Sequence, residues 1–135
     1  MNTRVRITDV APRDGLQAEE SIVPTSDKAT LVGLVQQTGV DEVEVSSFVS
    51  PKWIPQLGDA TELFEMLAAS KPEGVIYSAL VPNMRGLDTA IAVNQHAREE
   101  YGVTRLIDKV SVFAAASEGF SLKNTNGTIE EVLQR

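Results

Sequence analysis

The residues best suited to chemistry lie in two short stretches, Pro12-Arg13-Asp14-Gly15 and Glu42-Val43-Glu44-Val45-Ser46-Ser47. As local structure, the first is a tight turn in which Pro and Gly set the backbone and Arg13 is solvated. As chemistry, it pairs a hard oxygen ligand with a fixed positive charge. Asp14 suits a divalent cation, Mg2+ or Mn2+, and Arg13 suits a developing enolate or carbonyl oxygen. In the second stretch, period-2 alternation puts Glu42, Glu44 and Ser46 on one strand face and Val43, Val45 and Ser47 on the other. A carboxylate on a covered face needs a cation or a hydrogen-bond donor. Glu44, nearer the C-terminal end of the strand, is therefore the better site candidate, whereas Glu42 can reach solvent near the strand's start.

Weaker candidates sit in three further stretches. Residues 48–56 (FVSPKWIPQ) are too apolar for a generic connection and read equally as a hydrophobic plug or as a ligand wall, with Lys52 the charge available to an anionic ligand. Residues 81–86 (VPNMRG) offer Asn83, a helix N-cap first and a ligand contact second, and Arg85. Residues 116–127 (ASEGFSLKNTNG) read as a polar loop carrying Ser117, Glu118, Lys123, Asn124 and Asn126. His96 is set aside because it follows Leu87 by nine residues, which places it half a turn from the apolar stripe of its helix.

These stretches recur at the ends of similar units. Residues 4–10 alternate polar and β-branched side chains and read as a strand, and residues 26–38 read as a helix with Ser26 as N-cap candidate and Gly39 as its stop. Strand 40–47 and helix 59–69 repeat the pattern. Residues 74–81 (GVIYSALV) form the continuous apolar run of a strand covered on both faces, followed by a helix from about Asn83 to Tyr101. Residues 105–115 supply a fourth strand, and Thr128 caps a last helix. Asp14, Ser47, Val81 and Ala115 mark the strand ends, with separations of 33, 34 and 34 residues. Strands alternating with helices imply a parallel sheet with right-handed crossovers. An open doubly wound sheet usually carries a glycine-rich phosphate loop after its first strand, and residues 11–17 (APRDGLQ) hold one glycine. Polar residues after all four strands fit a (β/α)8 TIM barrel, whose sites lie at that end. Eight such units would need roughly 270 residues, near the size of a typical barrel. The 135 residues therefore read as the N-terminal half of one α/β barrel domain, about four units.

Composition narrows the function. The chain has no cysteine and one histidine, which excludes disulfides, thiol nucleophiles and any self-contained multi-histidine site within it. A net charge of −7 with scattered Lys and Arg argues against nucleic-acid binding. No apolar run approaches the roughly 18 residues of a membrane span, and no signal-peptide pattern opens the chain, so a soluble cytoplasmic protein is expected.

The stretches APRDGLQ, EVSSFVSPKWIPQ (44–56), VPNMRG and AAASEGFSLKNTN (114–126) together resemble the 3-hydroxy-3-methylglutaryl-CoA lyases of the metal-dependent lyase and synthase TIM barrels. The Arg-Asp-Gly turn is shared across that superfamily, while the second and fourth stretches look specific to the lyase. The resemblance implies that Asp14 binds the divalent cation, Arg13 stabilises the enolate oxygen, and Glu44 supports substrate positioning or proton transfer. It implies cleavage of an acyl-CoA substrate to acetyl-CoA and acetoacetate. Lys52, Asn83 and Lys123, with Arg85, are the candidate contacts for the coenzyme A portion. The family's paired histidines, later asparagine and cysteine loop fall beyond residue 135. A homo-oligomer or a complementing C-terminal half is thus expected, and negligible turnover by the 135 residues alone. A non-catalytic half-barrel and an acyl-CoA-condensing synthase of the same superfamily are the alternatives.

Overall fold

A computed structural model describes residues 4–134. Four parallel strands, β1 (Thr8–Asp9), β2 (Glu42–Ser47), β3 (Ile76–Leu80) and β4 (Lys109–Ser111), lie in the order β1-β2-β3-β4. Strand order that never reverses distinguishes a barrel segment from a doubly wound sheet, which reverses at its switch point. The connecting helices α1 (Thr25–Val35), α2 (Ala60–Ala68) and α3 (Met84–Tyr101) pack side by side in chain order. Two further helices, α4 (Glu118–Thr125) and α5 (Ile129–Leu133), follow β4. No helix among the described residues is long and apolar enough to cross a membrane.

The core lies between the helices and one sheet face. Val43, Val45, Tyr77 and Ala79 meet Val32, Leu63, Phe64, Leu67, Val93 and Ala97 there. Tyr77 enters this layer whole, with its hydroxyl donating to Gln36 Oε1 at 2.5 Å, and burial pushes the phenol up to about 12. Gly86, in the first turn of α3, marks a close approach: a Cβ there would stand 2.8 Å from the carbonyl oxygen of Phe48.

Several local expectations are corrected. The first and fourth strands are far shorter than 4–10 and 105–115, because side chains replace the ladder. Asp41 Oδ2 accepts from the Ile7 amide, and Asn94 Oδ1 accepts from the Leu106 and Ile107 amides. Helix α1 starts one residue before Ser26, with Pro24 at its N-cap position and no side-chain cap. Residues 118–125 are helical rather than loop, capped by Ser117, which accepts from the Phe120 amide, and closed by Asn126 in the left-handed region (φ 53°). Asn83 and Thr128 cap their helices as expected, Thr128 within a capping box with Glu131.

The alternation of β2 also breaks. Glu44 pairs with Ser78 but Ser46 pairs with Ala79, so Val45 is an inserted bulge residue. Beyond the bulge the faces exchange: Ser47, opposite Leu80, joins Glu44, and Ser46 turns toward the helices with its buried hydroxyl unpartnered among the described residues.

Glu42 is buried rather than solvent-reaching, held by Lys109 Nζ at 2.9 and 3.0 Å from its two oxygens. Burial pushes this carboxyl up, but hydrogen bonds from Ser78 and Lys109, with the Lys109 charge, outweigh burial and hold it below its ordinary value. A carboxyl lowered by folding adds stability above its unfolded pKa, and that stability is lost as pH falls through the lowered value. Urea melts from about pH 5 down to pH 3 are therefore expected to lose stability more steeply for wild type than for Glu42→Gln. Equal slopes would remove the ion pair from the account.

Candidate active site

The chain turns sharply after β1 because Pro12 is buried at the start of the turn and the Val10 carbonyl gathers the amides of Arg13, Asp14 and Gly15. Asp9 Oδ1 accepts from the Ala11 amide at 2.8 Å and fixes the turn's entry. The turn sets Arg13 beside the C-terminal half of β2, where its Nε donates to Glu44 Oε1 at 2.5 Å. Its Nη1 donates to Asp14 Oδ1 at 2.8 Å and reaches Gln17 Oε1 at 3.5 Å. Glu44 is buried, and the Arg13 side chain is 17% exposed against 63% for Asp14. The guanidinium thus answers the carboxylate that burial would otherwise penalise. Its Nη2 keeps its hydrogens uncommitted among the described residues, and Asp14 Oδ2 accepts from none of them.

With Glu44 behind Arg13 and outside the lining, Arg13, Asp14 and Gln17 line a cavity of about 680 Å³ at the C-terminal ends of the strands. Its polar side holds Arg13, Asp14, Gln17 and Ser47; Trp53, Ile54, Phe113 and Phe120 make its apolar walls. A cavity of about 730 Å³ opens at the opposite end of the sheet, around Lys71, Arg105 and Asp108. Three of its charged groups are taken up structurally: Lys71 pairs with Asp108 at 2.6 Å, Asp108 also accepts from the Tyr77 amide, and Lys109 pairs with Glu42. Barrel chemistry belongs to the C-terminal face, so the smaller cavity is the candidate site.

Arg13, Asp14 and Glu44 are brought together although Glu44 stands 31 residues from Arg13. Asn83 lines the same cavity, with its Oδ1 engaged by the Gly86 amide at 3.0 Å. Lys52 and Lys123 are exposed and stand outside the lining, as does Arg85. His96 is exposed on α3, its ring edge-on to Tyr101 at 6.4 Å, away from the mouth. Gln17 and Ser47 escape sequence reading. Gln17 carried a signal, its place four residues after Arg13; Ser47 carried none, because only the bulge turns it inward. As a cation ligand, Asp14 offers one hard, accessible carboxylate, and no group of three His, Cys, Asp or Glu suited to a metal occurs among the described residues. Asp14 therefore fits as a single ligand, and the described residues do not form a complete set around it.

A family model described as HMGL-like matches residues 4–135. The mitochondrial hydroxymethylglutaryl-CoA lyase of Gallus gallus is 44% identical over 132 residues, covering 98% of this chain and 40% of the relative. A crystal structure of the HMG-CoA lyase from Brucella melitensis superposes with a TM-score of 0.84 at 43% identity, over 97% of this chain and 41% of that one. An HMG-CoA lyase from Acinetobacter baumannii, solved in complex with coenzyme A and 3-methylmalate, gives a TM-score of 0.81 at 31% identity, over 96% and 38%. The chain spans about two fifths of the length of these relatives.

Proposed function

The chain belongs to the HMGL-like family, and we propose that it carries the enolate-stabilising side of a carbon–carbon lyase site that splits 3-hydroxy-3-methylglutaryl-CoA into acetyl-CoA and acetoacetate. One observation carries this reading: Arg13, which lines the cavity, is braced by Glu44 and Asp14 through two of its nitrogens, and its third is uncommitted among the described residues. In the reaction the tertiary hydroxyl loses its proton, its oxygen forms the ketone of acetoacetate, and the carbon–carbon bonding pair leaves as the acetyl-CoA enolate. Protonation at carbon completes acetyl-CoA. Negative charge moves onto the thioester oxygen during bond cleavage, and a fixed guanidinium stabilises it without reorganising. Glu44 holds that guanidinium and blocks its swing toward solvent.

Asp14 would hold Mg2+ or Mn2+ through its free oxygen, and when bound the cation supplies a Lewis acid to substrate oxygens. The apolar wall of Trp53 and Ile54 excludes water from the enolate. Asn83 contacts the coenzyme A portion at the mouth, and Lys52 and Lys123 offset its phosphates from the rim. Val5 and Ile7, just before β1, and Val112 and Phe113, just after β4, are exposed, and further β/α units, in the same polypeptide or a complementing one, would cover them.

Coenzyme A titrated into the protein while Trp53 emission is followed tests the mouth directly. A saturable change is expected, reduced by Asn83→Ala. No change up to millimolar coenzyme A would contradict the assignment of this cavity to a thioester.

A further inference from the structure

We propose that Lys28 is a positioning residue for the mouth, a buried ammonium that clamps the Trp53 loop and the Arg13 turn into one wall. It lies on α1 at 1% exposure, the least exposed charged side chain described. Its Nζ donates to Asp59 Oδ1 at 2.7 Å and to the Gln56 backbone oxygen at 2.5 Å. Asp59 Oδ2 in turn accepts from Thr25 Oγ1 at 2.8 Å. Asp59 stands at the N-cap position of α2 yet makes no capping bond, so its carboxylate serves the lysine instead of the helix. Gln56 then extends the clamp: its Nε2 donates to the Glu19 carbonyl at 2.9 Å, in the segment that follows Asp14 and Gln17.

One cation therefore ties α1, the start of α2 and the turn Pro55–Leu57 together, and through Gln56 it links the loop that carries Trp53 to the segment that follows the Arg13 turn. A buried ion pair is a poor source of stability, since apolar replacements of similar volume are often neutral or better. What an apolar pair cannot do is direct a backbone carbonyl, and the carbonyl directed here is that of Gln56. Trp53 precedes it by three residues: the Ser50 carbonyl closes the turn that holds Trp53 by accepting from the Trp53 and Ile54 amides, and the Ile54 carbonyl accepts from the Leu57 amide in the turn that holds Gln56.

Trp53 is the sole tryptophan and is exposed at the cavity, so it reports on this wall without a label. The test compares wild type, Lys28→Met and Leu67→Ala, the last a core variant in α2 with no bond to the clamp. Acrylamide quenching of Trp53 is measured well below each Tm, with far-UV circular dichroism to verify folding; coenzyme A titration, which rests on the lyase reading, is the second readout. Lys28→Met is expected to raise quenching about 1.5-fold, because the freed loop opens locally and exposes the rest of an indole that is already more than half exposed. It should also weaken coenzyme A binding roughly tenfold, the cost of ordering a loop that is no longer held. Leu67→Ala should lower Tm and move neither. If Lys28→Met does not fold, Asp59→Asn, which keeps an acceptor for Thr25 and removes the charge, carries the same expectation. Quenching no greater than that of Leu67→Ala overturns the proposal. Failure of wild type to bind coenzyme A overturns the lyase reading instead, and the quenching comparison still decides the clamp.

Discussion

Substituting Arg13 by methionine is expected to lower kcat at least about 10²-fold with little change in KM, because the lost donors act on charge that exists only in the transition state. The assay uses a chimera in which this chain replaces the aligned segment of the Brucella melitensis lyase, so that the remaining site groups are supplied. Lysine should not restore the rate. A single ammonium cannot serve Glu44 and Asp14 through separate nitrogens and still present a donor to substrate. Glu44→Gln keeps an acceptor for Arg13 Nε while removing the countercharge, so its loss should be smaller. If Glu44 acts by holding Arg13, the double variant should cost no more than Arg13→Met alone. Additive losses would show that Glu44 touches the reacting atoms independently.

The second large effect is on stability. Phe64 is fully buried and stacks on Phe48, with ring centroids 5.8 Å apart and an interplanar angle of 11°. This contact joins α2 to the residue where β2 leaves the sheet, just before the mouth loop. Phe64→Ala deletes it and leaves a cavity, at an expected cost of about 3–5 kcal/mol. A natural domain has only about 5–15 kcal/mol in total, so this variant should sit near its unfolding threshold. Urea denaturation should show a large fall in midpoint at constant slope. Leu34→Ala, at an exposed position on α1, should stay within about 0.5 kcal/mol of wild type. Comparable losses at the two positions would place the core elsewhere.

What sequence reading could and could not reach follows from the range of each interaction. The β/α repeat was legible because burial between helices and sheet leaves an apolar run such as 74–81 wherever a strand is covered on both faces. Caps at Asn83 and Thr128 were legible because their bonds span three residues. The helix at residues 118–125 was obscured by Gly119 and Asn124, although Ser117 and Asn126 marked both its ends. The Val45 bulge has no signature in a period-2 pattern, so Ser46 and Ser47 exchanged roles unseen. Lys28 resembles any solvated helix lysine until the fold brings Asp59 against it. Arg13 and Glu44 could each be singled out, but their pairing follows from β1 and β2 being neighbours.

The most direct measurement is the rate of 3-hydroxy-3-methylglutaryl-CoA cleavage by the folded chimera, with and without added Mg2+ or Mn2+. Metal-dependent release of acetyl-CoA and acetoacetate is expected, within about tenfold of the parent enzyme, since a well-formed site keeps its groups in productive geometry. A folded chimera that binds coenzyme A but releases neither product, or that instead condenses acetyl-CoA with a 2-oxo acid, would contradict the lyase reading.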